Sequence, residues 1–345
     1  MAPWADGSLH VGLSKAHVEA TTSTTTTATS GSSTSTTSTT SPAGDLGTTT
    51  TAVGVTAKAP KAPKAPKSTT TTAPRATTTT SAPGGSTTTT VARGGCADPS
   101  GQCLPAAPSG YTPVCQDDFT VNAPTGSWGT SDASAVVYTG EHGCRWVEYP
   151  DGWSSTYTNG QPGYEPGQVL SVHDGMLDFY LHNVNGLPAG ANPSPILANT
   201  GTQYQTYGEY TIRAKVVYND SQRLHDFYVA WLLWPQNDGD WQSAESDYPE
   251  ATLSDTQVCA YAHHGGSGAQ DSYCSPVDFT QWHTYTQVWG PGYRNYYLDG
   301  ALIGSSTNQV WSGVERWQIQ TEPSGSNDGD SGHVLVDWAA VYAPG

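Results

Sequence analysis

The run Phe227-Tyr228-Val229-Ala230-Trp231-Leu232-Leu233-Trp234 is apolar on both faces, as the central strand of a sheet covered on each side must be. Downstream of Tyr207 the same pattern continues in amphipathic form. Tyr210, Ile212, Ala214, Val216 and Tyr218 alternate with Thr211, Arg213, Lys215 and Val217, the period of a half-buried strand. Two further stretches read as hairpins, because strand-like runs flank His173-Asp174-Gly175 and Asp299-Gly300. Residues Val334 to Tyr342 read as a last strand, and helical periodicity is convincing nowhere. Many strands with Gly and Pro punctuation and no alternating helices predict an all-β fold, a two-sheet antiparallel jelly-roll sandwich.

That pattern occupies only part of the 345 residues. Residues 21–95 are dominated by Thr, Ser and Pro, with a Lys-Ala-Pro repeat from Lys58 to Lys67. Such a segment has almost no large apolar side chain to offset the entropy of ordering, so a disordered linker is expected there, extended where Pro recurs. Residues 1–20 form an N-terminal segment with no assigned role. One folded domain is expected over residues 96–345, which hold every Trp except Trp4 and all six Cys.

Charge divides at the same boundary. The folded part carries six basic and twenty-seven acidic side chains, a net charge of −21. Nucleic acid and anionic membranes are poor partners for such a surface, so a neutral or cationic ligand is expected. The cationic repeat of the linker offers a contact to an anionic cell envelope, with a plain soluble spacer as the alternative. No run is long enough to insert in a membrane as a helix.

Cys96, Cys103, Cys115, Cys144, Cys259 and Cys274 show no CxxC pairing, which argues against zinc and for disulfides formed in an oxidising compartment. Fifteen pairings are open to six cysteines. Proximity favours Cys96 with Cys103, Cys115 with Cys144, and Cys259 with Cys274. A secreted protein is expected, since Thr-rich tracts are typical O-glycosylation substrates, although residues 1–20 contain no apolar signal-peptide core. Asn219-Asp220-Ser221 also fits an N-glycosylation sequon.

The chemistry concentrates in Asp240-Trp241-Gln242-Ser243-Ala244-Glu245-Ser246-Asp247-Tyr248-Pro249-Glu250. If Trp241 to Glu250 is a strand, Glu245 and Asp247 share a face while Glu250 has the wrong parity. A β-bulge at Tyr248-Pro249 corrects it, and a bulge is one of the few places in a sheet that accepts Pro. All three acids then share one face, and two Glu flanking a small helper carboxyl suit retaining glycoside hydrolysis. Glu245 is the expected nucleophile and Glu250 the acid/base. Asp247, too short to reach a sugar as either Glu does, is the helper that hydrogen-bonds Glu245 and keeps negative charge near Glu250. The bland alternative is a solvated acidic turn.

With these residues in place, the folded part resembles glycoside hydrolase family 16, laminarinases included, whose bulged signature is Glu-x-Asp-x-x-Glu. "QDDF" at 116–119, "YGEYTIRAKV" at 207–216, "VAWLLWP" at 229–235, "AESDYPE" at 244–250 and "QWHTYTQVWGPG" at 281–292 follow the order of the family's strands. The resemblance implies a concanavalin A-like jelly roll with a concave cleft and endo-acting hydrolysis, with retention, of a neutral β-linked glucan or galactan. It gives Glu245 as nucleophile, Asp247 as helper and Glu250 as acid/base. It also points to Trp241 as a stacking platform, Arg213 as a residue near the nucleophile, and a cleft His at His263 or His264, of which His264 is carried forward. Core or surface roles are the alternatives for all three. Ala244, Ser246, Pro249, Val288 and Thr211 depart from the family's usual residues, which marks an outlying branch.

No cofactor is required by this chemistry. A structural Ca2+ on the convex side is compatible with the resemblance, with no ligands assigned, and a monomer is expected. Three functions from different classes are distinguished by the residues. A retaining endo-β-glucanase needs the two Glu, and a transglycosylase differs only in what intercepts its intermediate. A lectin-like binding module on the same fold has no need of two Glu at catalytic parity. A jelly-roll polysaccharide lyase must neutralise a uronate, a poor task for six basic residues among twenty-seven acids.

Overall fold

The structure, a computed structural model, describes residues 98–219 and 223–345. The N-terminal segment, the whole Thr-rich linker, Cys96 and the last two residues of the Asn219 sequon lie outside them. The described chain is an antiparallel two-sheet sandwich, as its strand periodicity predicts.

The larger sheet has nine strands. Its main path runs Ala301–Ser306, Tyr293–Leu298, His283–Gly290, Gly208–Tyr218, Gly332–Pro344, Met176–Val184 and Leu170–His173. Tyr111–Asp117 also pairs with Gly332–Pro344, and Leu187–Ala189 with Met176–Val184. The six-stranded sheet runs Tyr204–Gln205, Glu315–Pro323, Leu224–Pro235, Ser246–Leu253, Gln257–His264 and Ala269–Pro276. Both expected hairpins are present, and their turns place Asp174 and Gly175 at φ 53° and 73° and Asp299 and Gly300 at φ 49° and 79°. Paired positive φ values are what a tight two-residue turn between right-twisted strands requires.

The core lies between the two sheets. Phe179, Ile212, Val216 and Val336 from the larger sheet meet Val229, Trp231, Leu233 and Ile319 from the smaller one. Trp231 packs edge-on against Tyr285 at 6.0 Å between ring centroids. The doubly apolar run Phe227–Trp234 is explained by its place in the Leu224–Pro235 strand. Its odd-numbered residues from Val229 to Leu233 enter the main core, while Ala230, Leu232 and Trp234 form a second cluster on the opposite face, with Tyr228 and Trp241 packed on it.

Cys115–Cys144 and Cys259–Cys274 are disulfides, as proximity favours. Cys103 is also disulfide-bonded, and its expected partner Cys96 lies outside the described residues. Among the described residues no helix is long and apolar enough to cross a membrane.

Cys259 and Cys274 face each other on neighbouring strands, 15 residues apart in sequence. Closing a loop of that length restricts the unfolded chain by about 3 kcal/mol. The double variant Cys259→Ala/Cys274→Ala should lose about that much unfolding free energy in urea, with the far-ultraviolet dichroism of the native state retained.

Candidate active site

The acid-bearing strand begins at Ser246, five residues later than the Trp241 start that its alternation suggests. Asp238–Asp240 form a 3-10 turn and Trp241–Ala244 a single helical turn, so the strand runs Ser246–Leu253 and Glu245 sits at the junction. Trp241 is drawn out of a strand path by its packing on the second apolar cluster and its edge-on contact with His263, 5.7 Å between centroids. Glu245 nevertheless belongs to the ladder. Its N–H donates to Trp241 O at 3.0 Å, and its carbonyl accepts from the His263 N–H at 2.9 Å.

On one side of the strand Asp247 faces Leu232 and Glu250 faces Ala230; on the other they face Tyr261 and Cys259. A step of two residues on each neighbour therefore spans a step of three on the acid strand, which is a β-bulge at Tyr248-Pro249. The peptide between these two residues is cis. Tyr248 turns into the core against Tyr285 and Tyr296, and its hydroxyl donates to Tyr297 O at 3.0 Å. With one extra residue absorbed, Glu250 returns to the face of Asp247, the face that carries Ala230 and Leu232.

All three acids are buried, Glu245 6 %, Asp247 2 % and Glu250 4 % exposed, so the site must hold carboxyls in a poorly solvated place. Burial, then the Glu250 charge, pushes the Glu245 carboxyl well above the usual range, while its hydrogen bond with Asp247 opposes the rise. Burial, then the Glu245 charge, pushes Asp247 up as well, with Arg294 opposing. Two carboxyls in such contact share a proton. The two carboxyls are hydrogen-bonded to one another, and burial holds both above the usual range. Glu250 Oε1 accepts a hydrogen bond from the Tyr228 hydroxyl, and Tyr157 packs edge-on to the Tyr228 ring at 6.1 Å.

The underside of the strand is fixed across the sandwich by polar groups of the larger sheet. Ser246 Oγ donates to Gln287 Oε1 at 2.8 Å and lies 2.7 Å from the Tyr296 hydroxyl, which donates to Tyr261 O at 3.2 Å. Arg294 reaches from Tyr293–Leu298 to donate to Ala244 O at 3.0 Å and to Glu315 Oε1 at 2.6 Å. Its guanidinium lies 4.8 Å over the Trp289 ring. Glu315, fully buried, is pushed up to about 7 by burial, against the pull of Arg294.

Register adds residues that the acid motif alone does not reveal. Gln320, Gln318 and Glu322 on Glu315–Pro323 stand opposite Ala230, Leu232 and Tyr228 and so share the acids' face. Arg316 donates to the Tyr204 and Tyr149 hydroxyls at 3.3 and 3.1 Å, and Gln318 donates to Tyr149 at 2.8 Å. Tyr149, Trp153 and Tyr157 are only partly buried beside them. The signal was present in the alternation of Arg316, Gln318, Gln320 and Glu322 with Trp317, Ile319 and Thr321.

Two residues carried from the resemblance stand elsewhere. Arg213 follows inward-pointing Ile212 and precedes inward-pointing Ala214, so strand alternation turns it to the outer face of the larger sheet. There it donates to Ser100 Oγ at 2.7 Å and Thr284 Oγ1 at 3.0 Å. His264 has the parity of buried Ala262 and lies 3.6 Å from Asp271, away from the acids. Its neighbour His263 is the one that faces them, with Nε2 3.7 Å from both Glu245 Oε2 and Asp247 Oδ2. Burial, then the charges of His264 and Arg294, pushes His263 down to about 4, so it is neutral at pH 7. Trp241 is half-buried at the rim of this group.

Among the described residues two groups bring metal-ligating atoms together, Glu245 with Asp247 and His263, and His225 with Asp226 and Asp328. In the second group Asp226 already accepts the backbone N–H groups of Asp328, Gly329 and Asp330 at 2.8 to 3.0 Å.

This two-sheet antiparallel sandwich is similar in fold to solved β-glucanases of family GH16. SCLam, a non-specific endo-β-1,3(4)-glucanase of that family, superposes with a TM-score of 0.51 at 15 % identity over 70 % of this chain and 94 % of its own. A point mutant of SCLam co-crystallised with 1,3-β-D-cellobiosyl-cellobiose, presenting 1,3-β-D-cellobiosyl-glucose at its active site, superposes with 0.52 at 15 % identity over 70 % and 97 %. LamAcat from Zobellia galactanivorans gives 0.49 at 14 % identity over 67 % and 98 %. No protein-family model and no curated protein matches the chain.

The buried acids have a cost that depends on pH. A carboxyl whose folded pKa is raised above the unfolded value, 3.8 for Asp247, binds a proton that the unfolded chain releases, so stability falls as pH rises above about 4. Asp247→Asn removes that cost while keeping a donor to Glu245. It should raise the urea midpoint at pH 7 by the equivalent of about 1 kcal/mol, a gain that shrinks to nothing as pH falls below 4.

Proposed function

We propose that this protein is a retaining, endo-acting glycoside hydrolase of a neutral β-linked polysaccharide, with β-1,3(4)-glucan as its substrate class. The observation that carries this reading is the bulge that gathers Glu245, Asp247 and Glu250 on one buried face of a β-glucanase-like sandwich. Glu245, hydrogen-bonded by Asp247, attacks the anomeric carbon as its carboxylate, and a glycosyl-enzyme intermediate forms. Glu250, oriented by Tyr228, protonates the leaving oxygen and then takes the proton of the water that hydrolyses the intermediate. Asp247 acts through Glu245 and touches no sugar atom.

The surroundings support a neutral polymer. Gln318 and Gln320 offer amides, and partly buried Tyr149, Trp153, Tyr157 and Trp241 offer ring faces on which sugars stack. The folded part's net charge of −21 disfavours a polyanionic substrate. No cofactor enters the reaction. The disulfides support an oxidising, extracellular setting for a monomer, with the Thr-rich segment as its tether.

The purified chain should release reducing ends from lichenan or laminarin and none from alginate. Glu245→Gln should lower that rate by at least about 10³-fold while polysaccharide binding persists. Persistent turnover in Glu245→Gln would remove it as nucleophile. Binding without release by the parent chain would favour the lectin-like reading.

A further inference from the structure

His263 sits in the acids' site with a side chain 2 % exposed, and neither ring nitrogen has a hydrogen-bond partner. Glu245 Oε2 and Asp247 Oδ2 are likewise buried and lack hydrogen-bond partners. Each unsatisfied buried polar atom costs about 1–3 kcal/mol, and here the orphaned atoms converge. His263 Nε2 is 3.7 Å from each of the two carboxylate oxygens, and the three ligand atoms all lie within 4.8 Å of one another.

We propose that Glu245, Asp247 and His263 form a site for one divalent transition-metal cation of the Zn2+ type, and that its occupancy blocks the nucleophile. The block rests on the function proposed above; the binding does not. Ligands about 2.0–2.2 Å from a tetrahedral Zn2+ stand roughly 3.4 Å apart, so the two His263 contacts need to close by about 0.3 Å and the carboxylate pair by about 1.4 Å at most. One imidazole and two carboxylates suit Zn2+ or Co2+, whereas Ca2+ and Mg2+ take oxygen alone. Two carboxylates also balance a divalent charge in a place where either one alone is poorly solvated.

The frame is held in advance. The His263 N–H donates to Glu245 O at 2.9 Å, and Arg294 anchors Ala244 just before the acid. Trp241 packs against the imidazole in a T-shaped contact, 5.7 Å between ring centroids, and so helps to fix the ring. A cation there takes the Glu245 lone pair that attack on an anomeric carbon requires, so metal and glucan turnover exclude each other. The His225, Asp226 and Asp328 group lacks this character, because Asp226 is saturated by backbone donors.

The test is titration of the full chain with Co2+, read by its visible d–d absorption and by displacement with Zn2+. One Co2+ per chain is expected. His263→Gln should weaken binding at least tenfold, and so should Asp247→Asn, which guards against a folding defect in the first variant. His225→Gln should bind as the parent does. No uptake by the parent chain, equal affinity in His263→Gln and Asp247→Asn, or loss confined to His225→Gln would overturn the proposal. This readout needs no glucan, so it stands apart from whether the chain is a hydrolase. In protein that cleaves glucan, Zn2+ should stop release and a chelator restore it; metal uptake with an unchanged rate would overturn the blocking role.

Discussion

Three carboxyls on one strand, each almost removed from water, are the constraint around which this sandwich is organised. An isolated buried carboxylate is prohibitive, and a strand carrying three of them would twist them toward solvent unless held. The hold comes from two directions. The bulge at Tyr248-Pro249 sends the Tyr248 ring into the core and brings Glu250 to the opposite face. Beneath the strand, Ser246, Gln287 and Tyr296 fix its start, while Arg294 ties the preceding Ala244 to Glu315. These are inter-sheet contacts, so the position of the acids is set by the packing of the whole sandwich.

The same arrangement explains why the acids differ although their chemistry is alike. Asp247 is short, hydrogen-bonds Glu245 and lies within the field of Arg294, whose charge opposes the rise that burial imposes on it. Glu250 lies beyond the bulge, where the Tyr228 hydroxyl donates to it. Carboxyls with different neighbours can be tuned apart, as the proposed acid and nucleophile roles require. The stability spent on this arrangement is a cost that a purely structural strand would not carry.

Much of the architecture was legible from side-chain period alone. Alternation over Tyr210–Tyr218, the Asp-Gly turns and the doubly apolar Phe227–Trp234 run give strands, hairpins and a central strand. Parity also located the bulge, because only an extra residue reconciles Glu250 with Glu245 and Asp247. What escaped was whatever depends on packing between segments distant in sequence. The helical turn Trp241–Ala244 forms because Trp241 docks on a cluster supplied by another strand. Arg213 and His264 matched a family pattern, yet local parity turns each away from the acids. His263 was equally visible and is separated from His264 only by its ladder pairing with Glu245. Arg294 and Tyr228 could not be read at all, since their role lies in contacts across the sandwich and between neighbouring strands.

The most direct measurement is the anomeric configuration of the first product, followed by proton NMR while the chain cleaves lichenan. Double displacement through Glu245 releases the β-anomer first, with the α-anomer growing in only as mutarotation proceeds. Initial release of the α-anomer would mean single displacement by water, and would contradict Glu245 as the nucleophile.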